Sequence, residues 1–584
     1  MNALLLFILT SLAYLVAYHT YGKFLAKKIF KINPNAAVPS KVYEDGKDYV
    51  PSERHVMFGH HFTSIAGTGP IVGPAIGVIW GWLPAVIWIV GGSIFMGAVH
   101  DFGSLIVSMR HKGRSISEIA GVVINKRVRT MFYIVVFLAL LVVIAIFGLV
   151  IAVIFAQFPS SVLAVWAEIP VAILFGWMAF KKNKSLVWST IVAVIAMYVF
   201  VFLGDIIPIT LQGTTWLPAT GLWTLILLTY AYFASILPVG FLLQPRDYLN
   251  AWQLYVGLGV VVLGLVATHF VTDFQIVAPA LQLHPEGAPP ILPFLFITIA
   301  CGAVSGFHCL VCSGTSSKQI STESDAQFVG YGSMMVEAGL ATVVIIAVTA
   351  GIGLSYDSGG NTLTGVQAWN AHYGSWASSA GLGSKLTAVV VGCANMMKTI
   401  GVPMSMGIAI MGVFIASFAG TTLDSATRVQ RYIIAELFTD LKMPFFANKW
   451  VATGIAVVTA ALMAFSSGAN GKGALALWPM FGAINQLLGC LALLVITAYL
   501  RGKGGLKYIV TAIPCVILLV MTMWASTLNQ LKFIAEGNYI LSSINGIVII
   551  LAIAMIIEGG IVFVKGPNKN KLKSDDLTME SSCC

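Results

Sequence analysis

The sequence predicts an all-α polytopic membrane protein of about fifteen spans, built as a five-plus-five inverted repeat with additional helices. Three observations carry that prediction. The 584 residues are 58% hydrophobic and only 10% charged, with mean hydropathy +0.89, which excludes a soluble globular enzyme. Apolar runs long enough to cross a bilayer succeed one another along nearly the whole chain. Two of those runs are interrupted by glycine, proline and small polar residues at depths where an ordinary span would carry none.

The runs fall near 3–21, 62–80, 83–109, 130–155, 161–180, 185–207, 221–243 and 250–272, then near 291–315, 327–353, 401–424, 449–467, 475–499, 508–527 and 541–564. The first lacks a basic flank before it and a small-residue cleavage site, so it reads as a retained span. The formal net charge of +10 does not form one patch, which argues against a nucleic-acid partner. Instead Lys and Arg sit between apolar runs: seven in 22–61, then Arg110 to Arg129, Lys181 to Lys184, Arg246, Lys318, Arg428 with Arg431, Arg501 with Lys503, and the Lys-rich tail. Under the fifteen-span count all of these share one side, and the opposite loops 208–220, 273–290 and 354–384 contain no Lys or Arg. By the positive-inside rule the N-terminus lies outside and the C-terminus in the cytoplasm. Residues 362–384, with Trp369, Tyr373 and Trp376, read as an interfacial segment on the outer side, and the short run Leu386–Met397 is taken with it.

The first interrupted run places Gly67, Gly69, Pro70, Gly73 and Pro74 within eight residues, forfeiting helix propensity and backbone donors where no water replaces them. A break of this kind survives only if protein or a polar cavity satisfies the freed groups, so it marks a candidate binding site. The alternative is a kink that lets helices pack closely. The second, 291–317, carries Gly302, Ser305, Gly306, His308, Ser313, Gly314 and Thr315. On the charge-derived topology the two run in opposite directions, as an inverted repeat demands. The chain then divides into an N-terminal span and loop (1–61), a first repeat (62–207), two inserted spans (208–290), a second repeat (291–500), and two C-terminal spans with a tail (501–584).

Ionisable residues inside apolar spans are costly and are functional candidates by default. Glu337 lies near the midplane of span ten and could carry a proton. Asp101 follows His100 in span three and could pair with a histidine or with loop arginines. His308 sits in the second break, where an imidazole suits proton exchange. His60 and His61 are adjacent, so on a helix they point about 100° apart and cannot share one ion; one is placed at the cytoplasmic mouth of the cavity and the other toward loop or lipid headgroups. No metal site is expected. Cys309 and Cys312 read as packing, and the eight Cys show no disulfide framework or zinc pattern. Asp424 and Arg428 stand four apart at a cytoplasmic helix end and are expected to pair and steady a gate. Asn485 and Gln486 could coordinate substrate or bridge helices.

The ordered set Asp45–Pro51, Gly59–Phe62, Ile65–Pro74, Gly97–Asp101, Ser305–His308, Ser313–Thr315, Gly330–Gly332 with Glu337, Thr421–Arg428 and Leu477–Gly482 with Asn485 and Gln486 resembles the carbon starvation protein A (CstA) family over about residues 40 to 500. Cys309 and Cys312 depart from the family's small Ala or Ser, and Ser52–His55 departs as well. The resemblance implies a leucine-transporter-type (LeuT-like) fold of the amino-acid/polyamine/organocation superfamily. It also implies a bacterial inner-membrane carrier linked to peptide uptake under nutrient limitation and to proton-coupled pyruvate uptake. The expected site joins Gly67, Thr68, Gly69, Pro70, Gly73, Ser305, Gly306, Ser313, Thr315, Asn485 and Gln486 around the substrate. Glu337, His308, Asp101 and His61 are the proton-coupling groups. Helix N-termini at the breaks would face a substrate carboxylate. No cofactor is expected beyond a coupling proton, with sodium as the alternative ion. A nutrient sensor or a channel are the rival classes, and the only partners expected are a small-molecule substrate and the bilayer.

Overall fold

The computed structural model describes residues 1–182 and 184–566. Their regular structure is helical apart from one antiparallel hairpin, Tyr356–Ser358 with Asn361–Leu363, in which Tyr356 faces Leu363. Among the described residues twelve helices are long and apolar enough to cross a membrane, thirteen if the bent pair Arg54–Ala66 and Gly69–Trp80 counts as one span. Of the fifteen runs read from the sequence, the other two fall on the short helices Ile291–Thr298 and Gly306–Gly314, and on the 16-residue Lys449–Ala464.

The molecule is sorted by burial as lipid solvation requires. Lys126–Gln157, Glu323–Leu354, Met404–Asp440 and Met480–Gly502 are enclosed on nearly all sides. The peripheral helices Ala3–Phe30, Leu186–Ile206 and Tyr539–Lys565 expose apolar side chains such as Leu12, Trp188 and Ile550. An exposed aliphatic surface of that kind is stable against acyl chains and not against water.

Two expectations are corrected here. The run at 401–424 belongs to a 37-residue helix, Met404–Asp440, so Asp424 and Arg428 are fully buried in its middle and not at its end. Arg246, taken as a loop charge, lies within the helix Leu243–Val271 and is buried, as are Arg428 and Arg431 in theirs. The aromatic segment is folded against the protein. It folds into the helices Gly365–Tyr373 and Trp376–Ser379, with Trp369 and Tyr373 buried and stacked at 4.2 Å, and the Tyr373 hydroxyl donates to the Ala75 carbonyl at 2.5 Å. It is followed by the helix Leu382–Thr399, which is not among the twelve spans. The C-terminal tail beyond residue 566 lies outside the described residues.

Candidate functional site

Both interrupted runs are broken in fact. The helix Arg54–Ala66 stops at Gly67, whose φ of +48° suits glycine, and the chain resumes at Gly69–Gly77 after a bend of 43°. Pro70 stands in the first turn of the second piece, where its missing amide costs nothing. In the other run helix stops at Thr298 and restarts at Gly306.

The two breaks lie against each other. A Cβ on Gly69 would come within 2.4 Å of the Cys301 side chain, and one on Gly73 within 2.6 Å of the Thr298 carbonyl. On the far side of the breaks the His61 ring is 3.9 Å from the Cys312 sulfur, and His60 is 3.3 Å from Gln319. Rising numbers in one run meet falling numbers in the other throughout, so the segments are antiparallel.

The freed backbone of the second break is met by an acidic side chain. The Gly302 amide donates to Glu337 Oε1 at 2.9 Å, from the helix Ser333–Thr349. Glu337 Oε2 lies 3.3 Å from His308 Nε2 without hydrogen-bond alignment, and among the described residues neither atom has another hydrogen-bond partner. His308 Nδ1 is 2.8 Å from Asp101 Oδ2, and Asp101 Oδ1 is 2.7 Å from His100 Nδ1. All four side chains are fully buried. A carboxylate only accepts, so an ionised Asp101 fixes the Nδ1 hydrogens of both rings toward itself. That leaves His308 Nε2 and Glu337 to share or exchange a proton across the remaining gap. One donor atom each of Cys301, His308 and Glu337 lie within 4.8 Å of one another, so these three could also hold a cation.

Beside this chain is a cavity of about 630 Å³. Thr68, Gly69 and Gly73 line it from the first break, and Thr298, Ala300 and Cys301 from the second. Trp376, Lys385, Trp478 and Phe481 also line it, next to the Lys- and Arg-free stretch 354–384 that holds Trp376. Its described lining holds two lysines, Lys385 and Lys532, and no acidic residue.

Several expected site residues do not line this cavity. Gly67 packs on Thr422 and Gly306 on the Asn485 backbone, so these glycines serve close helix approach. Asn485 accepts the Phe307 amide at 2.8 Å and bonds Ser305, capping the second half-helix, while Gln486 holds the Phe296 carbonyl. Pro70, Ser313 and Thr315 are also absent from the lining, the two hydroxyls bonding carbonyls of their own helix. His61 bonds Ser316 at 2.7 Å and His60 bonds Asp247 at 2.6 Å; both rings are fully buried, so neither faces loop or lipid as one of them was expected to.

Asp424 and Arg428 do not pair with each other. Asp424 accepts from Arg246 at 2.7 Å and from Tyr230 at 2.8 Å, and Arg246 also faces Glu168 at 3.7 Å. Arg428 reaches instead to Asp48 at 2.8 Å and to the Leu237 carbonyl. Burial pushes the Asp48 carboxyl up, but Arg428, Tyr432, Lys318 and Arg431 together hold it below the usual carboxylate range. Glu168, Arg246, Asp247 and Lys385 were missed as site candidates. An acidic residue in the apolar run 161–180 is the same signal that singled out Glu337.

The family model for carbon starvation protein CstA matches residues 2–525. The peptide transporter CstA of Campylobacter jejuni is 31% identical over 93% of this chain and 82% of its own length. The pyruvate/proton symporter BtsT of Escherichia coli is 30% identical over 90% of this chain and 81% of its own. The peptide transporter CstA of Bacillus subtilis is 31% identical over the full length of both.

Proposed function

This chain belongs to the carbon starvation protein CstA family, and on that premise we infer that it takes up small carboxylate nutrients, pyruvate or short peptides, by proton symport across a bacterial inner membrane. The reading rests on one observation above the rest: a fully buried chain Asp101–His308–Glu337 ends on the unwound backbone at Gly302, one residue from the cavity wall at Cys301. A proton moved between His308 and Glu337 changes the charge at the backbone that shapes the substrate chamber. Coupling needs such a link, because a ligand shifts an equilibrium only through interactions that differ between its states.

The antiparallel contact of two broken segments supports a LeuT-like inverted repeat, with fifteen spans if both broken runs and Lys449–Ala464 cross, the N-terminus outside and the C-terminus inside. The cluster of Arg246, Asp424, Glu168 and Tyr230, with Arg428 held to Asp48, is the proposed gate on the cytoplasmic side. Counterflow in proteoliposomes with labelled pyruvate and dipeptides, under proton or sodium gradients, tests the reading. Proton-driven accumulation is the expected result; sodium-driven accumulation would move coupling to the hydroxyls and carbonyls at the breaks, and binding without flux would make the protein a sensor.

A further inference from the structure

The cavity holds a buried lysine that no carboxylate among the described residues answers. Lys385 lies in the first turn of the helix Leu382–Thr399 and is only 4% exposed. Its ammonium sits 4.8 Å from the centre of the Trp478 ring, and both residues line the cavity. Among the described residues no carboxylate pairs with it. The other lysine of the lining, Lys532, is largely exposed and lies 3.8 Å from Glu536. An ammonium held out of water without a counter-ion is costly, and an aromatic face returns only part of the lost hydration.

Much of the expected alternative source of positive charge is already engaged. The Phe307 amide, at the start of the half-helix Gly306–Gly314, is taken by Asn485 Oδ1. At the start of the other half-helix Pro70 has no amide to offer, and the Ile71 and Val72 amides turn back to the Thr68 carbonyl.

We propose that Lys385 receives the substrate carboxylate, forming the charge-assisted contact that selects anionic substrates in the cavity between the two breaks. The proposal rests on the carboxylate-carrier reading and adds to it the residue that recognises the carboxylate. Trp478 holds the ammonium at the wall while the chamber is empty, and a bound carboxylate supplies the missing partner. Pyruvate and the C-terminus of a short peptide share this group, so one lysine serves either.

The test uses the full-length protein and its variants Lys385→Gln and Lys385→Arg, purified and reconstituted. Equilibrium binding is measured for pyruvate and for L-alanyl-L-alanine, each against its amide. Lys385→Gln is expected to raise Kd for the acids at least about tenfold and to abolish the preference for acid over amide, the loss of one charge-assisted hydrogen bond. Lys385→Arg, which keeps the charge, is expected to stay within about threefold. Thermal melting of both variants should stay close to the parent: Gln gives up the Trp478 contact but also removes a costly buried charge, and Arg keeps both. Weakening for one acid alone supports the proposal and identifies that acid as the substrate. Unchanged acid affinity in Lys385→Gln overturns the role of Lys385 and leaves the carrier reading standing. If the parent protein binds neither acid, both fall.

Discussion

Replacing Glu337 by Gln keeps the shape of the second break and removes its proton. The glutamine Oε1 can still accept from the Gly302 amide, now 2.9 Å from Glu337, and side-chain volume is conserved. The amide group cannot trade a proton with His308 Nε2 across 3.3 Å. With Glu337 as the single carrier, one proton per substrate is expected. Together with a monocarboxylate anion that proton makes the transported pair electroneutral, and only the pH gradient drives it. Each pH unit is worth about 1.4 kcal/mol, or about tenfold accumulation. Proteoliposomes of the parent protein, clamped at zero potential with one unit of pH gradient, should therefore concentrate pyruvate about tenfold. Those of Glu337→Gln should stop at equal concentrations while still exchanging labelled pyruvate in counterflow. For a zwitterionic dipeptide the same proton carries net charge, and 100 mV would add about 2.3 kcal/mol. Full accumulation by Glu337→Gln would refute the assignment of coupling to this carboxyl.

Further outcomes follow from the same geometry. Gly69→Ala drives a methyl to 2.4 Å from Cys301 and should destabilise the protein by about 1–3 kcal/mol, read as a lower midpoint in reversible detergent unfolding. A double-mutant cycle between Asp424 and Arg246 should return a coupling of about 0.5–3 kcal/mol, and the cycle between Asp424 and Arg428 a value near zero; the reverse would restore the pairing read from the sequence. Chelator treatment should leave uptake unchanged, whereas a loss restored by added zinc would show that Cys301, His308 and Glu337 hold an ion.

The fold class and the two breaks were legible because their causes are local. Several glycines and prolines in an apolar run cannot form an ordinary membrane helix whatever surrounds them, and an isolated acid such as Glu337 declares itself by its apolar neighbours. What could not be read was partnership. His308 meets Asp101 across 207 positions and Arg246 meets Asp424 across 178, and no spacing rule reaches that far. Asp424 and Arg428 misled because four-residue spacing makes a pair possible without making it the best available; a buried aspartate takes the closer guanidinium. The charge count that set the topology treated Arg246, Arg428 and Arg431 as loop residues, although all three are buried within helices. Lys385 was passed over because it opens a run too short to be a span. Its signal is that it ends a stretch, 354–384, with no other basic residue.

Proton movement accompanying the substrate tests the central claim most directly. Proteoliposomes loaded with a pH-sensitive dye and given pyruvate, with no gradient imposed, should acidify inside as pyruvate enters, at one proton per pyruvate. Neither Glu337→Gln nor empty liposomes should do so at the protein-dependent rate. Pyruvate entry through the parent protein with no change in internal pH would contradict proton symport and the role given to Asp101, His308 and Glu337.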